Sequence, residues 1–113
     1  GGAHLIPIRG KKTLACYVNA LVEKYGKPVL LTEFRRRRSL IAHMIRTRNK
    51  VFHVNPKQKR VLKGGQCGVY AVKLEWMFRY IIWVLMGYDQ AKLDEVVSKE
   101  VKKFEVEFSN LIY

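Results

Sequence analysis

Seventeen of the first 74 residues are lysine or arginine, and only Glu23 and Glu33 oppose them. The balance of +15 is more than the whole chain carries, because residues 75–113 hold five cations against seven acids and the total is +13. Charge of one sign at this density repels itself unless a polyanion is near. Most of these cations are therefore expected at the surface, with the core drawn from the apolar stripes between them. The split between a basic segment and a nearly neutral tail implies two jobs within one chain. Nucleic acid is the leading polyanion, and an anionic membrane surface is second. The length, 113 residues with 49% hydrophobic, suits one domain with one core.

The apolar stripes give the expected elements. Residues 5–8 make a short strand, with Pro7 suited to its edge or end. Thr13 is an N-cap, and Leu14, Tyr17, Val18, Leu21, Val22 and Tyr25 recur at helical spacing after it. Gly26 and Pro28 stop that helix. Residues 29–34 are apolar and too short for a helix, so a buried strand is expected. Ser39 is positioned to cap a second, short helix whose apolar face is Leu40, Ile41, Met44 and Ile45. Residues 51–54 and 69–74 read as the two strands of a hairpin, with Gly64, Gly65 and Gly68 at its tip. The order is β-α-β-α-β-β. From Glu75 onward the pattern is helical. Residues 76–88 are apolar nearly all round and must be covered. A stripe of Leu93, Val96, Val97, Val101, Phe104, Phe108, Leu111 and Ile112 follows.

One stretch of the sequence is distinctive: a strand, then Gly10-Lys11-Lys12, then four residues, then Tyr17-Val18-x-Ala20. It resembles the start of the Alba family of archaeal chromatin proteins, which share the β-α-β-α-β-β order. The resemblance covers about residues 4–74. It implies an α+β fold, an Alba-like two-layer sandwich at 4–74 followed by a helical extension at 75–113. It also implies a homodimer that binds double-stranded DNA or RNA with little regard for sequence. In that family the lysine pair lies on the body of the dimer and a basic hairpin follows the groove. Lys11 and Lys12 match the pair directly. Arg35, Arg36, Arg37 and Arg38 fall at the family's basic strand-to-helix loop, and Lys57, Lys59, Arg60 and Lys63 on its hairpin, by position only. The family says nothing about the last forty residues, whose stripe could pack on its own sheet, on a second subunit or on another protein.

Each basic site has a physical argument of its own. Lys11 and Lys12 precede a helix N-terminus, which already favours an anion. Four successive arginines present planar forks suited to phosphate, unless Glu33 or an acid of the tail neutralises some of them. The hairpin lysines would release counterions on binding, or simply keep an edge strand from aggregating.

Other chemistry has little material. His4, His43, His53 and Cys67 lack ligand spacing, so no metal or cofactor is expected. Aspartate occurs only at 89 and 94, and no nucleophile–base set stands out, so an enzyme is not expected. Cys16 and Cys67 read as reduced intracellular thiols. No secretory signal is visible. The apolar run at 77–88 is shorter than the roughly 20 residues a membrane span needs, which leaves the membrane an improbable partner.

Two other readings compete. One is a winged-helix regulator, with a helix at 28–34, a recognition helix at 39–49 and a wing at 51–74. The other is a subunit of an RNA-protein particle, whose tail docks a protein. A strand at 29–34 favours the Alba-like reading, and a helix there favours the winged helix.

Overall fold

The computed structural model describes residues 13–52 and 56–113, and every regular element in them is helical. Helix α1 spans Leu14–Tyr25, α2 Lys27–Leu30, α3 Arg37–Val51, α4 Gly64–Leu85 and α5 Gln90–Glu107. Two 3-10 segments, Leu31–Arg36 and Ser109–Leu111, follow α2 and α5. No strand occurs among the described residues, so the expected α+β sandwich is not the fold of this chain.

The first helix forms where its pattern places it. Thr13 Oγ1 accepts from the Cys16 N–H at 3.3 Å, and the Gly26 N–H closes the last turn on Val22 O at 2.7 Å. Gly26 has ordinary right-handed φ; it is glycine because a Cβ there would stand 2.6 Å from Val22 O.

Three expected strands fail. Pro28 can stop a helix, but it also suits the first turn of the next, where no N–H is needed. Here it begins α2, and the chain then tightens into the 3-10 segment through Leu31 at φ 56°. Val51 is the last residue of α3, which is longer than its apolar face suggested; residues 53 and 54 lie outside the described residues. Residues 69–74 belong to α4. Val69, Tyr70, Lys73, Met77 and Tyr80 form its buried face at three- and four-residue spacing, and that period runs unbroken across residue 74. The glycines expected at a hairpin tip lie in the first turns of this helix. The hairpin therefore does not exist, and with it goes the wing of the winged-helix alternative. The strand at residues 5–8 lies outside the described residues.

The helices enclose one core. It takes Val22 and Tyr25 from α1, Val29 and Leu30 from α2, Leu40 and Ile41 from α3, four side chains from α4, and Val97 and Val101 from α5. α1 packs on α3, and α5 packs on both α2 and α4. Much of the stripe at 93–112 is thus spent within the chain, although Val96 remains 58% exposed. Gly87, at φ 93°, turns the chain between α4 and α5.

Buried among these apolar groups is one ion pair. Glu33 is completely buried in the 3-10 segment, and Lys73 of α4 donates to its Oε2 at 2.6 Å. Lys73 also meets Glu105 of α5. The Tyr70 hydroxyl donates to Glu33 Oε2 at 3.0 Å and the Thr32 hydroxyl to Oε1 at 3.0 Å. Removing one partner would leave a buried charge unpaired, which is far more damaging than losing a surface pair.

Candidate nucleic-acid interface

The arginine run joins the 3-10 segment to α3. Arg35, Arg36 and Arg38 are exposed, and Arg37 is half-buried. Aromatic rings order two of the four. Arg37 lies 4.4 Å from the Phe34 ring centre and donates to Phe34 O at 3.1 Å. Arg36 lies 4.9 Å from the ring centre of Tyr113 and donates to its main-chain oxygen. Stacking occupies a guanidinium face and leaves edge N–H groups for an anion.

Tyr113 is itself pinned from the core. Its N–H donates to the Tyr70 hydroxyl at 2.7 Å, and that hydroxyl donates on to Glu33. Its own hydroxyl meets Ser39 Oγ and, at 3.1 Å, His43 Nδ1. Ser39 therefore serves Tyr113 and does not cap α3, which begins two residues earlier with no side-chain cap. Burial, with Glu33 nearby, holds the Tyr70 hydroxyl neutral well above the usual tyrosine range.

Along α3, Leu40 and Ile41 face the core. The opposite side carries Arg38, Ala42, Arg46 and Lys50 at successive four-residue steps. Such steps put one side chain above the next. The result is a cationic ridge continuing from the arginine run. The expectation that α3 is short hid it; the spacing of Arg38, Arg46 and Lys50 by eight and four residues was the available signal.

The second basic cluster meets the far end of this ridge. Residues 56–63 form the irregular link to α4, with Lys57, Lys59, Arg60 and Lys63 all exposed. Leu62 is buried, and its N–H donates to Thr47 Oγ1 at 2.8 Å. That bond ties the link to α3 beside Arg46 and within one turn of Lys50. The Lys63 N–H is held by Gln66 Oε1 at 3.1 Å as α4 begins. From Arg37 to Thr47 the helix rises about 15 Å. The structure thus places the runs at 35–38 and 57–63 at the two ends of one basic helix. Lys11 and Lys12 lie outside the described residues.

Among the described residues, the ion pairs are Lys73–Glu33, Lys73–Glu105, Arg79–Glu75 and Lys103–Glu100. Glu33, the only acid near the arginine run in sequence, is committed to Lys73, Tyr70 and Thr32. Arg35, Arg36, Arg38, Lys59, Arg60 and Lys63 take part in none of these pairs.

No grouping of three His, Cys, Asp or Glu side chains suited to a metal ion occurs among the described residues. No described helix is long and apolar enough to cross a membrane. Comparisons with family models, with curated proteins and with solved structures find no match for this chain.

Proposed function

We propose that this chain binds nucleic acid through the phosphate backbone, inside the cell, with α3 and its two flanking basic runs as the contact surface. The observation that carries this is the fate of Glu33. The acid nearest the arginine run in sequence is buried against Lys73, and no acid of the tail pairs with the run among the described residues. The run, the ridge of Arg38, Arg46 and Lys50, and Lys59, Arg60 and Lys63 of the link pair with no acid among the described residues, which suits an external polyanion. Contacts of this kind supply affinity and little sequence information.

The test is a binding series with duplex DNA, duplex RNA and single strands over a range of salt. A steep linear fall of log affinity with log salt, similar for unrelated duplexes of one length, is the expected result. Affinity indifferent to salt would overturn it.

A second reading has one observation in its favour. Residues 27–36 are helical, as a helix-turn-helix arrangement requires, and α3 would then be the helix that enters the major groove. Its outward Arg38, Arg46 and Asn49 are side chains able to read base edges. A strong preference for one sequence that survives high salt would select this reading.

A further inference from the structure

Helix α4 has a second face that no described residue covers. Opposite its buried side, the residues at successive four- and three-residue steps are Gly64, Gly68, Ala71, Glu75, Phe78, Ile82 and Leu85, and all seven are exposed. This is the spacing of a coiled-coil seam. Its large members are well in the open: Phe78 is 56% exposed, Ile82 55% and Leu85 72%. A helix apolar on both sides is ordinarily covered on both.

The seam is graded in size. Its first half is glycine, glycine and alanine; its second half is phenylalanine, isoleucine and leucine. Glycine weakens a helix interior relative to alanine, so Gly68 needs a reason. Its backbone does not supply one, since Gly87 is the only described glycine with positive φ. Crowding does not supply one either: a Cβ on Gly64 or Gly68 would meet nothing within 4 Å. Gly65 differs, because a Cβ there would lie 2.8 Å from the Leu111 side chain. The space above Gly64 and Gly68, which no described residue fills, suits a second chain.

We infer that a second copy of this chain covers this face, with the two α4 helices packed antiparallel about a two-fold axis near Glu75. In that register Leu85 of each copy lies over Gly64 of the other, Ile82 over Gly68, and Phe78 over Ala71. Large meets small along the whole seam, at one interhelical distance. Parallel pairing would set large against large at one end and leave a gap at the other. The arrangement is isologous, as a two-fold dimer requires.

Charge favours the same occupant. The net charge of +13 sets two copies against each other over most approaches. This seam carries only Glu75, which Arg79 neutralises at 2.6 Å. Its own residues add no net positive charge to the contact, unlike the ridge of α3. Glu75 against its own counterpart is the one unfavourable pairing, and Arg79 tempers it.

The experiment is sedimentation equilibrium of the full chain without nucleic acid, over a wide concentration range, with circular dichroism to confirm helix content. The expected mass at high concentration is twice the 13.2 kDa of one chain. Ile82→Glu should raise the dissociation constant at least about a hundredfold. Gly68→Leu should also weaken association, although leucine is the better helix former. Glu75→Gln should tighten it. If Ile82→Glu loses helix content, Leu85→Lys takes its place, since that side chain is the more exposed. A chain that stays monomeric at every concentration overturns the inference. So does a dimer unmoved by Ile82→Glu, which would use another face. A dimer broken by Ile82→Glu but indifferent to Gly68→Leu overturns the antiparallel register.

Discussion

Helices α3 and α4 bound the same core and turn opposite characters outward. Both line the cavity that Leu40, Ile41 and Met44 share with Tyr70, Lys73 and Met77. Outward, α3 shows Arg38, Arg46 and Lys50, whereas α4 shows Phe78, Ile82 and Leu85. Their inner faces differ too. The buried face of α3 is Leu40 and Ile41, whereas that of α4 carries a lysine. The contrast separates two uses of charge. On α3, Arg38 and Lys50 are exposed and Arg46 is half-buried, and none of them pairs with an acid among the described residues. On α4 the one buried cation holds three segments together.

The sharpest test of this contrast is Lys73→Ala. It leaves Glu33 buried without its cation, and breaking a buried pair costs about 3–5 kcal/mol. Urea unfolding should show a loss of that size, and a loss below about 1 kcal/mol would mean that the pair behaves like a surface one. Replacing Glu33 by Gln and Lys73 by Met together should recover part of the loss.

The counterpart on α3 is the triple change Arg38→Ala, Arg46→Ala and Lys50→Ala. Each lost phosphate contact should lower the salt slope of duplex binding by roughly 0.9, so a fall of about two to three is expected. Stability should shift by no more than about 0.5 kcal/mol per site. Large destabilisation without a change in slope would erase the distinction between the two helices.

Alkaline pH probes the packing of α4 against α5. Burial, with the Asp94 carboxylate as its hydrogen-bond partner, raises the Tyr80 hydroxyl from 10.0 to about 12. The folded chain then keeps a proton that the unfolded chain releases above pH 10. Stability from this group is complete below about pH 10 and declines between pH 10 and 12, by about 1 kcal/mol at pH 11. Tyr80→Phe should remove that share of the decline in a chemical-denaturation series and leave the share from Tyr70, whose hydroxyl is also raised.

The smallest effect belongs to the exposed pair on α4. Arg79→Ala removes its 2.6 Å contact with Glu75. Measured at concentrations where the chain is monomeric, its effect should stay under about 0.5 kcal/mol. A loss as large as that for Lys73→Ala would show that burial is not what separates the two pairs.

By itself the sequence determined what local chemistry can decide. It determined α1, because a cap, an amphipathic period and a stop glycine agree over residues 13–26. It determined the apolar face of α3 and the helical character of the tail. It determined that most of the arginines and the lysines of the link would be displayed, because nine acids cannot neutralise twenty-two cations. The tertiary structure decided the rest. Short apolar segments such as 29–34 and 69–74 carry no period of their own that separates strand from helix. What selects helix at 69–74 is the buried face that begins there and continues to Tyr80, with Lys73 at its centre. That lysine is tolerable only because Glu33 from the 3-10 segment and Glu105 from α5 converge on it, 40 and 32 residues away in sequence. The same convergence withdraws Glu33 from the arginine run. Whether Glu33 would pair with those arginines was therefore settled by a long-range pairing, which no local spacing could reveal.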